Sequence, residues 1–138
     1  MLTPAHRHEI ENTLHRWALG YDNQDAAMLT DCLTEDAELT MSVGGAPING
    51  SFAGREAILE LARATWHHQE DRRRHVLSNV IVEHVGDGRA WTTSYLTIFS
   101  IRSGAVHPLS IGQHHDELTW QDGGWRISKR RTSFDLPY

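Results

Sequence analysis

The sequence has little of what anchors or cross-links an exported protein. Its one cysteine, Cys32, excludes an internal disulfide and is compatible with a reducing compartment. No apolar run approaches the ~20 residues that a membrane-spanning helix needs. The opening residues, MLTPAHRHEIENT, lack the hydrophobic region of a signal peptide. We therefore expect a cytoplasmic protein with no membrane partner.

The sequence also lacks an excess of basic residues. Its 13 Lys and Arg are outnumbered by 18 Asp and Glu, which gives a net charge of −5. A nucleic-acid-binding surface needs a concentrated basic face, and the basic segment RISKRR (126–131) follows a strand pattern instead of forming a tail. We expect no nucleic-acid partner.

Linkers, internal repeats and low-complexity segments are absent too. A chain of 138 residues can bury one core without disulfides or metals. The sequence therefore predicts a single domain that spans residues 1–138.

Helical spacing of apolar residues predicts three helices. The first begins at Thr3, a good N-cap before Pro4, and ends near Asp22 in the segment YDNQD. The second begins at the cap Asp25 and runs through Cys32, whose apolar neighbours indicate a buried structural thiol. The third is GREAILELARATWHH (54–68).

Strand patterns fill most of the remaining sequence. AELTMSV (37–43) alternates like a strand, and GGAPING (44–50) is predicted to be a turn. Four more strand-like segments follow residue 74, the last two joined by the hairpin turn QDGG (121–124). Because the strands follow one another without intervening helices, the class is α+β. We expect a cone-shaped, strongly bent, mainly antiparallel sheet wrapped around the N-terminal helices, with a pocket at one end.

Five segments in a fixed order carry a family resemblance. They are YDNQD, CLTEDAEL, GREAI, RRHVLSN and DGGWRISKRR. Because these five segments occur in this order, the chain resembles the SnoaL-like branch of the nuclear transport factor 2-like superfamily over nearly its whole length. Within that branch it is most similar to hexachlorocyclohexane dehydrochlorinase, scytalone dehydratase and the bile-acid dehydratases.

The resemblance implies a catalytic pair. These enzymes pair an aspartate that ends the first helix with a histidine that begins a later strand, and the matching residues here are Asp22 and His75. The resemblance also places Arg130 at a pocket arginine of the dehydrochlorinase and His114 at a pocket tyrosine. Trp17 stands where the dehydrochlorinase has a lysine, so that specific activity is not expected.

The two residue types of this pair suit proton abstraction. A neutral imidazole can accept a proton near pH ~6.5. A carboxylate bonded to one ring nitrogen fixes the tautomer and stabilises the imidazolium that forms. Read alone, Asp22 is equally compatible with a helix end or turn, and His75 with a half-buried structural histidine.

Four further residues are predicted to bind the substrate. Tyr21, beside Asp22, is either a core residue or a pocket hydroxyl. Tyr95 is a candidate hydrogen-bond donor, and His114 a candidate proton donor to a leaving group. Arg130 can hold a carboxylate, or stabilise developing negative charge or a leaving anion, but it is also typical of a salt-bridged strand residue.

Strand alternation gives the expected faces of this site. It places Asn79 and Ile81 on the same face as His75, and Trp91 on the same face as Tyr95.

Pairs of histidines raise the question of a metal. Adjacent strand residues such as His114 and His115 point to opposite faces, so they do not readily share an ion. His67 and His68 lie about 100° apart on a helix, a poor arrangement for two ligands. No HExxH motif is present. We expect no metal and no other cofactor.

Three functions remain open at this point. The first is a lyase or isomerase of the dehydratase kind, acting by proton abstraction on a small, hydrophobic, cyclic substrate. The second is a non-catalytic assembly subunit like the small subunits of ring-hydroxylating dioxygenases, and the third is a polyketide cyclase or epoxide hydrolase. The resemblance also implies a homodimer that forms through the outer face of the sheet.

Overall fold

The computed structural model describes residues 2–137, apart from the side chains at positions 84 and 85. It contains three helices and six strands, in an α+β arrangement. In chain order the elements are α1 (Pro4–Asp22), α2 (Ala26–Cys32), β1 (Leu33–Val43), β2 (Ala46–Ala53), α3 (Arg55–His68), β3 (Arg72–Gly86), β4 (Arg89–Arg102), β5 (Ala105–Gln121) and β6 (Gly124–Phe134).

The strands form one sheet in the order β2-β1-β6-β5-β4-β3. Strands β3 to β6 are joined by tight turns and pair antiparallel, whereas β1 joins β6 in parallel. The predicted class and the mainly antiparallel sheet are therefore confirmed. Among the described residues, no helix is long and apolar enough to cross a membrane.

Local signals set the helix ends as the sequence predicts. The Thr3 hydroxyl accepts a hydrogen bond from the main-chain N–H of His6 at 3.2 Å, and Asp25 caps α2 by accepting from the N–H of Met28 at 3.1 Å. Helix α1 ends at Asp22, after which the positive φ of Gln24 turns the chain into α2. This ending fixes where the Asp22 side chain lies.

The core lies between the helices and one face of the sheet. Ile10 and Leu14 of α1, Leu29 of α2 and Leu118 and Ile127 of the sheet are completely buried there. Burying side chains of this size stabilises the fold by roughly 1.5–3 kcal/mol each. Helix α1 contacts both β3, at one edge of the sheet, and β6, which lies three strands away across β4 and β5, so the sheet curves around it.

One predicted turn is wrong. GGAPING was expected to be a turn, but only Gly44 and Gly45 turn, each with positive φ, and Ala46–Ala53 pairs with β1 as β2. Short, exposed β2 lies at the edge of the sheet and shows no clear apolar alternation, so its sequence carries little strand signal.

The predicted face of the second half of β3 is also wrong. Asn79 has a φ of 54°, and the register of β3 with β4 shifts between Ser78 and Ile81. This β-bulge reverses the alternation, because the bulged strand places two residues opposite one. Val82 is therefore buried, whereas Ile81 is 60% exposed on the outer face.

Candidate active site

Asp22 and His75 meet although they lie 53 positions apart in the chain. The ring Nδ1 of His75 donates to Asp22 Oδ1 at 2.6 Å, and the main-chain N–H of His75 donates to Asp22 Oδ2 at 2.9 Å. Both side chains are largely buried, with 13% of His75 and 6% of Asp22 exposed. The carboxylate therefore fixes the position of His75 through the ring and through the backbone.

The beginning of β3 is held by a second carboxylate. Asp71 accepts hydrogen bonds from the hydroxyl of Ser100 on β4 and from Nε of Arg73, the latter at 3.2 Å. Arg73 lies two residues before His75, on the same face of the strand. The strand that carries His75 is thus tied to its neighbour next to the site.

A cavity of about 70 Å³ lies between the helices and the inner face of the sheet. His75 lines it together with apolar side chains of both long helices and the strands, among them Trp17, Leu61, Leu96 and Phe134. The volume is small compared with the ~300–1,000 Å³ of typical ligand pockets. A small ligand fits this cavity best.

Tyr21 forms an aromatic wall beside His75. The two rings meet edge to face with their centroids 5.1 Å apart, and Tyr21 also contacts Trp66 at 5.7 Å. The side chain of Thr65, whose hydroxyl donates to the carbonyl of Leu61 at 2.9 Å, lies near the phenol of Tyr21. Burial raises the pKa of Tyr21. Tyr21 therefore lines the cavity beside His75.

His114 and Arg130 lie in the wall of the same cavity. Nδ1 of His114 is hydrogen-bonded to the Thr132 hydroxyl at 2.8 Å. Burial, together with the positive charge of Arg130 and the neighbouring His75, holds the pKa of His114 well below its usual value. His114 is thus a neutral imidazole that can donate a hydrogen bond, which does not suit the predicted role of proton donor.

Arg130 forms a buried ion pair, which is one of the roles that the sequence left open for it, with Asp116 as a partner that the sequence did not name. Its Nε and Nη2 donate to the two oxygens of Asp116 at 2.8 and 3.0 Å, and its guanidinium carbon lies 5.2 Å from the ring centre of Trp17. Asp116 and Trp17 are therefore part of the site. Asp116 was detectable in principle, because it alternates with His114 on one face of β5.

Tyr95 does not belong to this site. It lies on the outer face of β4 with Trp91, is 46% exposed, and is separated from the cavity by the sheet. The prediction that Tyr95 binds the substrate is wrong for this cavity, since inward positions of β4 are taken by Ser94 and Leu96. A groove on the outer face is wider, but neither Asp22 nor His75 lines it.

In the part of the chain that the structure describes, no group of three His, Cys, Asp or Glu side chains is arranged so that it could hold a metal ion. His114 and His115 face opposite sides of β5, as strand alternation predicts.

Comparison with protein families finds one match of nearly full length. The profile described as "SnoaL-like domain" matches residues 4–131. No curated protein matches the chain at a significant level.

Solved structures share the whole architecture. A Nostoc punctiforme protein of unknown function with a cystatin-like fold is 22% identical, with a TM-score of 0.83 over 99% of this chain and 97% of its own. A Novosphingobium aromaticivorans protein provisionally assigned as a scytalone dehydratase is 19% identical, with a TM-score of 0.78 over 96% of this chain and 85% of its own.

A subunit of an enzyme complex is similar as well. The beta subunit of a provisionally assigned aromatic-ring-hydroxylating dioxygenase from Novosphingobium aromaticivorans is 14% identical, with a TM-score of 0.80 over 94% of this chain and 89% of its own. At these identities the likeness establishes the fold and leaves the activity open.

Proposed function

The chain belongs to the SnoaL-like family, and from this membership and the geometry of the cavity we propose that it is a cofactor-independent lyase or isomerase. It acts on a small, hydrophobic, cyclic substrate. Asp22 orients His75, and His75 removes a proton from a carbon next to a carbonyl or a leaving group.

The contact between Asp22 and His75, whose ring lines the cavity, carries the proposal. Since Nδ1–H of His75 is held by the carboxylate, the lone pair of the ring is on Nε2, on the opposite side of the imidazole. Nε2 makes no hydrogen bond with the described part of the chain, and the ring lines the cavity. A positioned base of this kind typically contributes ~10²–10⁴-fold to a rate.

The walls of the cavity suit the rest of the reaction. Aromatic and aliphatic side chains, Tyr21 and Trp17 among them, contact the apolar body of the substrate. His114 and Arg130 supply hydrogen-bond donors for its polar atom. After the proton leaves, the carbon either expels a neighbouring group, which gives elimination, or is protonated elsewhere, which gives isomerisation.

The test is turnover of small cyclic β-hydroxy ketones, followed by the absorbance of the enone that forms when water is lost. His75→Ala and Asp22→Asn should each abolish turnover while circular dichroism shows an intact fold. His115→Ala, on the outer face of the sheet, is the matched control and should retain the wild-type rate. Near-normal rates in either site variant would refute the role of the pair.

A non-catalytic assembly subunit is the second candidate, favoured by the structural likeness to a dioxygenase beta subunit. Such a subunit has no need for a base held by a carboxylate inside a cavity. It should also be poorly behaved alone and form a stable complex with an iron-containing large subunit. An enzyme of the proposed kind should instead be stable by itself and bind ligands in its cavity.

The outer face of the sheet supports a homodimer. Large apolar side chains are exposed there on three neighbouring strands: Val76, Ile81, Trp91, Tyr95 and Ile111. A contiguous exposed patch of this kind is typical of a protein contact. Ile111→Glu should convert a dimer into a monomer in sedimentation experiments, and a monomeric wild-type protein would contradict the proposal.

A further inference from the structure

The guanidinium of Arg130 has its charge balanced within the protein. Nε and Nη2 lie along one edge of the group, and both donate to the carboxylate of Asp116, at 2.8 and 3.0 Å. The two side chains are 3% and 0% exposed, so solvent does not screen this pair. Arg130 therefore offers the cavity a hydrogen-bond donor without offering it a net positive charge.

The third nitrogen of Arg130 is not used by the fold. Nη1 is buried and has no hydrogen-bond partner among the described residues 2–137. It lies on the edge of the guanidinium that Asp116 does not occupy, while Trp17 covers one face of the group. Buried donors are nearly always satisfied, so an unpaired donor on a residue that lines the cavity is a candidate partner for an acceptor on the ligand.

The remaining charges near the cavity disfavour an anionic ligand. Asp22 contributes a carboxylate directly behind the ring of His75, which lines the cavity. His114 adds no positive charge, because burial and Arg130 keep its pKa well below the usual value. A ligand carboxylate would enter a largely apolar cavity close to the carboxylate of Asp22. Among the described residues that line this cavity, Arg130 is the one Lys or Arg, and it is already paired with Asp116.

We propose that Arg130 binds the carbonyl oxygen of an uncharged ketone or enone through Nη1, and that its pairing with Asp116 makes the cavity reject carboxylates. This substrate class rests on the proposed function. As Nε2 of His75 takes the proton, the C–H electron pair forms the C=C bond of an enolate and the carbonyl π pair moves onto oxygen. The charge thus develops on the atom that Arg130 contacts.

Binding of two matched probes tests the proposal without any turnover. Cyclohexanone and cyclohexanecarboxylate have the same ring but differ in charge, and NMR titration of the protein measures both affinities. The wild-type protein should bind the ketone at least about tenfold more tightly, since like charges brought together in a largely apolar site repel each other. Equal or tighter binding of the carboxylate, or no detectable binding of the ketone, would overturn the proposal.

Two variants separate the donor from its charge balance. Asp116→Asn keeps the shape but leaves the charge of Arg130 unbalanced, so carboxylate affinity should rise about tenfold or more. Unchanged carboxylate affinity in a folded Asp116→Asn protein would overturn the proposal. The double variant Arg130→Met/Asp116→Leu replaces the pair by apolar side chains of similar size, a change that folds often tolerate. It should lose ketone affinity about tenfold, and wild-type ketone affinity would count against a role for Nη1.

These outcomes are independent of the general base. A protein that selects the ketone but never removes its proton would support this inference and refute the proposed function. A protein that removes protons but prefers the carboxylate would refute this inference and support the proposed function.

Discussion

Replacing Asp22 by Asn should invert the tautomer of His75. The carboxylate now accepts two hydrogen bonds from His75, one from the ring Nδ1–H at 2.6 Å and one from the main-chain N–H at 2.9 Å. An asparagine has only one acceptor oxygen. If that oxygen keeps the main-chain N–H, the amide NH₂ faces Nδ1, and Nδ1 must then act as the acceptor.

The consequence for chemistry is large although the change in size is negligible. With Nδ1 unprotonated, the ring proton moves to Nε2, the nitrogen that must accept the substrate proton. The imidazolium also loses its compensating charge, so the rate should fall by ~10²–10⁴-fold. Stability should fall by roughly 1–2 kcal/mol, because a charge-assisted hydrogen bond is replaced by a neutral one.

Nitrogen-15 NMR of the histidine rings measures this tautomer directly and needs no substrate. Wild-type His75 should show a protonated Nδ1 and a bare Nε2 when neutral, and the Asp22→Asn protein the reverse. Asp25→Asn is the matched control, since Asp25 only caps α2 and asparagine caps a helix equally well. A protonated Nδ1 that persists in the Asp22→Asn protein would refute the reasoning.

Three further predictions concern the rest of the fold. Burial lowers the pKa of His114, so below pH ~6.5 the unfolded chain binds a proton at this residue that the folded protein does not bind. The free energy of unfolding should therefore decrease as the pH is lowered, by up to about 1.4 kcal/mol per pH unit. In urea unfolding, His114→Gln should lack this part of the slope, and an unchanged slope would be inconsistent with a neutral His114. A Cβ added at Gly112 would lie 2.2 Å from the carbonyl oxygen of Ser133, so Gly112→Ala should lose about 1–3 kcal/mol or more in the same assay. Gly124→Ala, which meets nothing within 4 Å, should lose far less, and equal losses would contradict the packing argument. Burial raises the pKa of the Cys32 thiol to about 11, so a thiol reagent should label the native protein far more slowly than the urea-unfolded chain. Equal labelling rates would show that Cys32 is accessible.

The sequence predicts the helices, their caps and the antiparallel strands well, because these depend on neighbouring residues. The Thr3 and Asp25 caps, the three helices and the run of four antiparallel strands follow from spacing and turn residues. The pairing of Asp22 with His75, in contrast, came from the family resemblance. Periodicity places one at the end of a helix and the other at the beginning of a strand, but it does not bring the two together.

Two β-bulges explain much of what the sequence could not give. The bulge at Asn79 reverses the alternation of β3, so the predicted face is wrong for Ile81, which follows the bulge. A second register shift, next to Leu118 in β5, lets Asp116 pair with Arg130. Regular counting from the QDGG turn would instead place Asp116 opposite Lys129. A single extra residue thus decides which basic side chain enters the cavity.

The predicted position of Tyr95 is wrong for a different reason. Both faces of β4 carry residues suited to a strand, and alternation alone does not say which face meets the helices. The buried face is the one with Ser94 and Leu96, which leaves the larger Tyr95 and Trp91 outside.

Proton exchange in D₂O tests the central claim most directly. Small cyclic ketones would be incubated with the wild-type protein and with His75→Gln, and loss of the signal of the protons next to the carbonyl would be followed by NMR. We expect the wild-type protein to exchange at least one ketone ~10²-fold or more faster than His75→Gln, while His115→Gln matches the wild type. Equal exchange rates for wild type and His75→Gln, or no acceleration over buffer for any ketone, would contradict a general base at His75.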